Sequence, residues 1–581
     1  FAYDALKAGG VTCSHLRFGP KPIKASYEIT AGCSYLAVHK KEYLSNYSVE
    51  SIFGALEEGG VFVLNSPWTS AELLRENLKL EFRQFIVQKK IVVYNIDASS
   101  VARQAGMGRL INNIMQTVFF HLANIMDPVK AITLFKKEVE KTYKNKGPEV
   151  VKKNIDAIDM ALDNLNRIDL PAEWGQPRAG EVRRPLRERD ANVPSVVAEV
   201  LDPVQLREGG FLPVSKFSPG GVVELGMTQW AKRGVAPKIP VVDMDKCTQC
   251  NKCASICPHA VIRPFLASPA ELKRAPGAFE TRRAAGGNSY AGLHFRIQVS
   301  PMDCTGCEVC VTSCPDNALA MKDIHAAVKE GHKDAWDFAM TLPSRGERFD
   351  PFTVKGAQFN QPLLEFSGAC EGCGETPYAK LLTQLFGKRM ILANATGCSS
   401  IWGATAGWIP YTVDKKTGRG VARGNSLFED NAEYGLGMVL SVNQRRLHVT
   451  KCVEAAIQAR VGSSEVQSTL VQWLEKKDDK EMSQVVGDRL QGLLKLQADA
   501  KALPAELKEV WRLRDLLARP SMWMMGGDGW SNDIGFGGID HAVALGENIN
   551  ILILDTEVYS NTGGQSSKAT PLGSVAKFAQ K

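Results

Sequence analysis

CTQCNKCASICP, residues 247–258, and CTGCEVCVTSCP, residues 304–315, are two copies of one pattern. Each copy spaces its cysteines as C-x2-C-x2-C-x3-C and follows the fourth cysteine with a proline. Two residues separate each of the first three cysteines from the next, and these three thiolates bind one cubane cluster. The fourth cysteine, which lies a turn farther along, ligates the other cluster. The duplication therefore predicts a ferredoxin-like domain that holds two [4Fe–4S] clusters.

This exchange of the fourth thiolate divides the eight cysteines into two predicted ligand sets. The first set is Cys247, Cys250, Cys253 and Cys314, and the second set is Cys304, Cys307, Cys310 and Cys257. A pair of zinc knuckles is the alternative interpretation. Zinc sites normally use two CxxC pairs or mixtures of Cys and His, so the doubled pattern favours iron–sulfur clusters.

The bulk composition narrows the class of protein. The chain has 581 residues, a formal net charge of +7 and 14 cysteines. This length predicts about three to five domains. The chain has no run of five basic residues and no apolar stretch of about 18 residues, which argues against nucleic-acid binding and a membrane span. The grouped cysteines indicate cluster ligation in a reducing compartment rather than a disulfide framework.

Hydrophobic patterning predicts an α/β multidomain protein. Buried strands are predicted at 34–39, 60–64 and 90–96, with helices at 70–80 and 111–126. We expect a mainly parallel α/β domain with a helical extension at 1–167 and a Pro- and Gly-rich connector at 168–240. The ferredoxin-like domain is expected at 241–343. A second α/β domain follows at 344–581, with a polar helical insertion at about 450–518.

A second motif follows two strand-like runs near the end of the chain. GGDGW, residues 526–530, follows the run MWMM, and ILILDTEV, residues 551–558, runs into YSNTGGQSS. This arrangement is typical of thiamine enzymes, in which glycines admit a diphosphate and oxygen ligands hold its magnesium ion. The predicted magnesium ligands are Asp528, Thr556 and the main-chain oxygen of Val558. A plain turn at GGDG is the alternative.

A third group of cysteines lies in Gly-rich loops. Cys370 and Cys373 belong to GACEGCGETPY, and Cys398 belongs to ANATGCSSIWG. We expect a third cluster here, with one ligand not visible; zinc or a structural pair of thiols is the alternative. Cys452 is the local candidate for the fourth ligand, but its charged, helical setting argues against it.

Several of these stretches resemble the pyruvate:ferredoxin oxidoreductase family, including its pyruvate:NADP relatives. The matching stretches are EFSGACEGCGETPY, NATGCSSIWG, GNSLFEDNAEYG, GGDGW and DTEVYSNTGGQSSKAT, while HLRFGPKPI and VLNSPW resemble the coenzyme A domain of that enzyme. The resemblance implies oxidative decarboxylation of pyruvate with CoA to acetyl-CoA and CO2. Electrons would pass from thiamine diphosphate through three [4Fe–4S] clusters to ferredoxin or flavodoxin, or to an NADP-linked flavin domain.

The resemblance also implies roles for individual residues. Cys370, Cys373 and Cys398 match three ligands of a proximal cluster, and Asn561 matches a catalytic residue that faces the substrate. Positions that line thiamine diphosphate match Glu375, Cys398, Gly527, Asp528, Gly529, Trp530, Thr556, Glu557, Val558, Tyr559, Ser560 and Asn561. Lys7, Arg109 and Asn154 are the best matches for CoA binding, with solvated surface residues as the alternative.

In this family the pyrimidine-activating Glu and the pyruvate-anchoring residues lie upstream, and the fourth proximal ligand lies downstream. We therefore expect the chain to be a middle portion that holds its ferredoxin-type clusters without oxidising pyruvate alone. The resemblance implies a homodimer in the cytoplasm, or in a mitochondrial, hydrogenosomal or plastid interior. An oxidoreductase for another 2-oxoacid and a non-catalytic electron-transfer subunit are the alternative functions.

Overall fold

The computed structural model describes residues 2–3, 10–24, 27–108, 110–177, 192–404, 407–499, 503–577 and 579–580. These residues divide into two compact units. One comprises the described residues of Phe1–Asp4 and Val11–Pro219, and the other those of Ala5–Gly10 and Gly220–Lys581. Helices and sheets occur in both units, which confirms the predicted α/β class. Among the described helices, none is long and apolar enough to cross a membrane.

The first unit is built on a mainly parallel sheet with helices on both faces. Its strands are β1 (Ala2–Tyr3), β2 (Thr12–Cys13), β3 (Cys33–Val38), β4 (Leu56–Asn65), β5 (Val92–Ile96) and β6 (Asn166–Ile168). Its helices are α1 (Glu42–Asn46), α2 (Val49–Phe53), α3 (Ala71–Asn77), α4 (Leu80–Gln88), α5 (Ala98–Gln104), α6 (Asn112–Leu122), α7 (Pro128–Tyr143), α8 (Pro148–Asp163) and α9 (Asp202–Gln205).

The main sheet of this unit has the order β3-β4-β5-β6, with β6 antiparallel to β5. Phe62, Val63 and Leu64 of β4 are all fully buried, because helices cover both faces of the sheet. Phe62 and Leu64 pack in one hydrophobic cluster and Val63 in another. The three predicted strands are confirmed, whereas the short, polar strand β6 lacks a hydrophobic pattern and was not predicted.

The predicted connector contributes to this core at its start. Trp174 is buried, and its indole Nε1 donates a hydrogen bond of 2.9 Å to the carbonyl of Ala71. Farther along, a π-helical turn at Val197–Leu201 also buries apolar side chains. The division between the two units falls at Pro219 and Gly220, inside the range 168–240.

The second unit contains both cysteine runs and the Gly-rich motifs. Its strands are β7 (Lys238–Val242), β8 (Ile262–Ala267), β9 (Arg282–Arg283), β10 (His294–Val299), β11 (Leu319–Asp323), β12 (Met390–Ala395), β13 (Ala422–Ser426), β14 (Ser521–Gly526), β15 (Asn550–Ile553), β16 (Val558–Tyr559), β17 (Gln565–Ser566), β18 (Val575–Ala576) and β19 (Ala579–Gln580). Its helices are α10 (Lys252–Ile256), α11 (Pro269–Leu272), α12 (Val309–Thr312), α13 (Ile324–Lys329), α14 (His332–Ala339), α15 (Val354–Ala357), α16 (Thr376–Phe386), α17 (Cys398–Gly403), α18 (Asn431–Gln458), α19 (Ser464–Lys476), α20 (Met482–Asp499), α21 (Ala505–Arg512) and α22 (Phe536–Ala544).

The two cysteine runs are held by two antiparallel pairs of strands. β7 pairs with β11, which joins the segment before the first run to the segment after the second. β8 follows the first run and pairs with β10, which precedes the second. Phe295 and Ile297 of β10 are fully buried in the core that these strands share. The fold therefore brings the two runs together from opposite ends of one small core.

The four-stranded sheet of this unit is fully parallel, in the order β13-β12-β14-β15. Because the carboxyl ends of parallel strands meet at one edge, the loops after β12, β14 and β15 lie on the same side of the sheet. These loops begin near Cys398, Asp528 and Thr556. The sequence predicted β12, β14 and β15, but not the polar edge strand β13.

Helices α18 to α21 form the predicted helical insertion, although α18 begins earlier than expected. They share a hydrophobic core that includes Leu470, Trp473 and Leu490. The Trp473 indole donates a hydrogen bond of 2.9 Å to the carbonyl of Leu517, which fixes the end of the insertion next to β14.

Candidate active site and cysteine clusters

Asp528 and Thr556 meet at the carboxyl edge of the parallel sheet. The backbone amide of Leu554 donates to the carbonyl of Gly526, which places the loop after β15 beside the loop after β14. Asp528 is buried, and its Oδ2 accepts hydrogen bonds from the Thr556 amide at 3.1 Å and the Thr556 hydroxyl at 2.9 Å.

This cluster of oxygen atoms has more acceptors than protons. The Thr556 hydroxyl lies 3.0 Å from the main-chain oxygen of Val558 as well as near Asp528, and one hydroxyl proton cannot serve both. The other carboxylate oxygen of Asp528, Oδ1, is buried and has no hydrogen-bond donor among the described residues. Burial and the neighbouring carboxyl of Asp555 raise the pKa of Asp528. An oxygen-rich site with unrelieved negative charge suits a hard divalent cation.

A carboxylate that sequence reasoning missed supports the loop after β15. Tyr559 donates a hydrogen bond of 2.7 Å from its hydroxyl to Oδ2 of Asp533, and the amide of Lys568 donates to the same oxygen at 3.4 Å. Burial, together with Asp533, raises the pKa of Tyr559 to about 12. Asp533 ends a π-helical turn that starts at Gly529, so it ties the two loops of the site together.

The other predicted residues of these loops differ in exposure. Trp530 is buried between β14 and α22, where it packs in a core with Met524 and Ile539. Gly527 and Gly529 flank Asp528. Asn561 is half-buried, whereas Glu557 and Ser560 are exposed, and the Ser560 hydroxyl donates to that of Thr556 at 2.6 Å.

Glu375 connects this site with the third group of cysteines. Its Oε2 accepts a hydrogen bond of 2.9 Å from the indole of Trp402, which lies on the helix that begins at Cys398. Burial raises the pKa of Glu375, the Trp402 hydrogen bond opposes that rise, and the charge of Asp528 adds to it. Glu375 is therefore near both Asp528 and α17.

Of the third group of cysteines, Cys373 and Cys398 lie together in the structure. Cys373 and Cys398 pack against one hydrophobic cluster, which includes Ala369 and Trp402. The amide of Cys373 donates to the carbonyl of Cys370, whose side chain is exposed. Cys452 instead packs in the core of the helical insertion, with its sulfur 3.7 Å from Nε2 of His448.

The structure groups the ferredoxin-type cysteines across the two runs. One pocket is lined by Cys247, Cys250, Cys253 and Cys314. Burial raises the pKa of Cys253, and the thiols of Cys247, Cys250 and Cys314 raise it further. These four side chains form the first predicted set.

The second set shows the same exchange. Burial raises the pKa of Cys310, and Cys257 of the first run and Cys304 of its own run raise it further. Burial likewise raises the pKa of Cys304 to about 12, with Cys257 and Cys307 contributing. In the described part of the chain, no three Cys, His, Asp or Glu side chains form a group for a single metal ion. A cubane is larger than an ion and holds its thiolates farther apart.

Two buried side chains connect the ferredoxin-like part to the loops of the parallel sheet. His259 follows the first run, and its Nδ1 lies 3.2 Å from the carbonyl oxygen of Ser367. Lys380 of α16 donates from Nζ to three main-chain oxygens at the end of the first run, those of Ala254, Ser255 and Cys257. Burial lowers the pKa of Lys380 to about 8, an effect that the thiols of Cys257 and Cys253 oppose.

The three residues predicted to bind CoA differ in what the structure shows of them. Lys7 and Arg109 lie outside the described residues. Asn154 is only 1% exposed, its Oδ1 accepts from Asn113, and its Nδ2 donates to the carbonyl of Val150. The alternative of a solvated surface residue is therefore wrong for Asn154, whose side chain has no face open to a ligand in this arrangement.

Comparisons with known proteins give first the class of this chain and then the proteins that it resembles. A 4Fe-4S dicluster domain matches residues 246–318, so the chain is an iron–sulfur protein. Pyruvate ferredoxin/flavodoxin oxidoreductase matches residues 1–164, and the insertion domain of pyruvate-ferredoxin oxidoreductase matches residues 445–502. A domain of unknown function matches residues 184–236, within the predicted connector.

Three curated relatives align with all of this chain. Pyruvate:ferredoxin oxidoreductase of Moorella thermoacetica is 47% identical, with 49% of its own length covered. Pyruvate dehydrogenase [NADP(+)] of Cryptosporidium parvum is 45% identical, with 32% covered, and the mitochondrial enzyme of that name from Euglena gracilis is 46% identical, with 31% covered. The chain is similar over its whole length to these pyruvate oxidoreductases, and it spans about a third to a half of their length.

Proposed function

We propose that the protein takes part in the oxidative decarboxylation of pyruvate with CoA, which yields acetyl-CoA, CO2 and two low-potential electrons. Thiamine diphosphate, when bound, supplies the electron sink that loss of CO2 from a 2-oxoacid requires. Asp528, Thr556 and the carbonyl of Val558 would hold the magnesium ion. The surplus of oxygen acceptors over protons at these three residues supports that assignment.

The surrounding loops would position the diphosphate and the substrate. Gly527 to Trp530 and Thr556 to Asn561 would line the diphosphate, with Asn561 facing the substrate. Glu375 and Cys398 would border the same site, and the influence of Asp528 on the pKa of Glu375 supports their proximity. Asp533 would hold Tyr559, and with it the metal-binding loop, in place.

The same unit would carry electrons away from this site. Cys370, Cys373 and Cys398 would ligate a proximal cluster, and the two exchanged sets of four cysteines would ligate two further clusters. The observation that carries the proposal is the packing of the Cys370–Cys373 loop on the second set. A β-carbon at Gly372 would lie 4.0 Å from Cβ of Cys307 and 3.5 Å from Cγ2 of Val309. The thiamine site, the Cys370–Cys373 loop and the second set of cysteines would thus form one continuous path for electrons.

The acceptor would be a ferredoxin or flavodoxin, or a flavin domain linked to NADP. The names of the relatives include ferredoxin, flavodoxin and NADP(+), and the net charge of +7 suits an acidic carrier protein. CoA would bind the predicted domain at 1–167, with Lys7 and Arg109 as the remaining candidate contacts. We place the protein in the cytoplasm or an organelle interior, as a homodimer, on the resemblance to its family.

The test uses the native protein that contains these residues, purified without oxygen. We expect thiamine diphosphate, magnesium and iron in the preparation, together with pyruvate-dependent formation of acetyl-CoA that exceeds the rates with 2-oxoglutarate and aryl pyruvates. Asp528→Asn should lose thiamine diphosphate and magnesium but retain the ferredoxin-type clusters. Asp540→Asn, at an exposed carboxylate of α22, is the matched control. A preparation with iron but without thiamine diphosphate would contradict the proposal and favour a non-catalytic electron carrier.

A further inference from the structure

Lys380 is a buried lysine whose three ammonium protons all have main-chain acceptors. Only 2% of the residue is exposed. Its Nζ donates to the carbonyl of Ala254, to that of Ser255 at 2.9 Å and to that of Cys257 at 3.2 Å. These bonds use all three donors of an ammonium group. Lys380 therefore holds the backbone between Cys253 and Cys257, which belong to different predicted cluster sets.

None of these three hydrogen-bond acceptors is a carboxylate. A buried ammonium is costly unless negative charge offsets it, and neutral carbonyl dipoles compensate only part of that cost. The nearby cation Arg263 is already paired with the buried carboxylate of Glu365. Among the described residues, the sulfurs of Cys257 and Cys253 act favourably on the Lys380 charge.

Occupied cluster sites would supply the missing negative charge. A [4Fe–4S] cluster with four thiolates has a net negative charge, which grows by one on reduction. Net charge and hydrogen bonding around a cluster set its reduction potential. A fixed cation between ligands of two clusters stabilises the reduced form of each more than the oxidised form.

We propose that Lys380 is a positioning residue that raises the reduction potentials of both ferredoxin-type clusters by fixing a positive charge beside Cys253 and Cys257. The inference rests on the proposed function, because it requires clusters in both sets. Lys380 lies on α16, and this helix also connects it with the thiamine site. The same helix begins one residue after Glu375, so one rigid element links the thiamine site to the backbone of the cluster ligands.

The experiment is a redox titration of the anaerobically purified native protein, followed by EPR. Lys380→Met removes the charge and the donors, whereas Lys380→Gln removes the charge but keeps an amide donor. For both variants we expect at least a tenfold shift of the one-electron equilibrium toward the oxidised clusters, which corresponds to 59 mV for a one-electron couple. Lys380→Arg should shift the potentials less than either neutral variant. Lys415→Met is the matched control, because Lys415 donates to the carbonyl of Met340, outside both cysteine runs.

Each outcome decides between a charge effect and a merely structural role. Neutral variants that keep both clusters with unchanged potentials would overturn the inference. If the neutral variants lose the clusters, and Lys380→Arg retains them with potentials close to those of the unmodified protein, the positive charge accounts for the potentials and the inference stands. If Lys380→Arg loses them as well, the role is structural and the inference fails. Absence of the two cluster signals from the unmodified protein would instead refute the proposed function, independently of any Lys380 variant.

Discussion

Gly372 packs so close to Cys307 that a methyl group added at Gly372 would be in van der Waals contact with the Cys307 side chain. Its φ angle is +73°, and a β-carbon built there would lie 4.0 Å from Cβ of Cys307. This relationship joins the Gly-rich loop of the third cysteine group to the second ferredoxin-type set. Under the proposed function, electrons would pass from Cys370, Cys373 and Cys398 to the set that contains Cys307, and then to the set that contains Cys247.

The first prediction concerns this junction. Gly372→Ala places an L-residue at positive φ, which costs about 1 kcal/mol and favours another backbone conformation for the loop that contacts Cys307. We expect severalfold slower reduction of the ferredoxin-type clusters after mixing with pyruvate and CoA, measured by rapid freeze-quench EPR. Their iron content should not change. Gly374→Ala is the control, because Gly374 has ordinary φ and open space around its Cα. An unchanged rate in Gly372→Ala would refute the importance of this packing.

The second prediction tests the exchange of the fourth ligand. Cys314→Ser should disrupt the cluster whose other ligands are in the first run, because Cys314 lines the pocket of Cys247. Adding Cys247→Ser should then remove no more iron, since both changes affect one cluster, whereas adding Cys304→Ser should remove the second cluster as well. Iron and acid-labile sulfide per chain provide the measurement. Equal iron losses in the two double variants would contradict the assignment.

The third prediction concerns the support of the metal-binding loop. Tyr559→Phe and Asp533→Ala each remove the hydrogen bond between these side chains, and a bond to a charged group contributes about 1.5 kcal/mol. We expect each variant to bind magnesium and thiamine diphosphate about tenfold more weakly by calorimetry. The double variant should be close to either single one. Tyr378→Phe, at an exposed tyrosine, is the control, and fully additive losses would show that the two residues act separately.

The fourth prediction is a pH dependence that arises from His259. Burial lowers its pKa to about 4, from an ordinary value of 6.5. The unfolded chain therefore takes up a proton below pH 6.5 while the folded chain does not. The stability contribution of the neutral ring is complete above pH 6.5 and is lost as the pH falls toward 4, by about 2 kcal/mol between pH 7 and 5.

Thermal unfolding of the native protein between pH 7 and 5 measures this effect. His259→Gln should unfold at a temperature that depends less on pH than that of the unmodified protein. His541→Gln, at an exposed histidine of α22, should retain the full dependence. An identical pH profile for His259→Gln and the unmodified protein would exclude His259 as the source.

The features that could be predicted from the sequence are those encoded over short distances. The spacing C-x2-C-x2-C-x3-C identifies cluster ligands because a single turn of backbone presents three thiols together. β4, β12 and β14 were predictable because strands buried on both faces are continuously apolar. The short polar strands β6 and β13 carry no such pattern, so they could not be found.

Side-chain environments set by distant parts of the chain were less predictable. Asn154 matched a polar ligand contact, but α6 and α8 pack so that its amide is buried against Asn113. Nothing around Lys380 in the sequence distinguishes it from a surface lysine. Its acceptors lie more than 120 residues earlier. Asp533 was likewise missed, since its partner Tyr559 lies on another loop.

The sequence alone determined which residues could ligate clusters and which loops could hold a diphosphate and its metal, because those properties depend on residue type and local spacing. The tertiary structure decided which of them meet. Parallel strands β14 and β15 bring Asp528 to Thr556, and the antiparallel pairs β7–β11 and β8–β10 bring Cys314 to the first run. Packing of α16 buries Lys380 at the main-chain carbonyls of Ala254, Ser255 and Cys257. Such contacts depend on the packing of distant parts of the chain, which no local sequence pattern predicts.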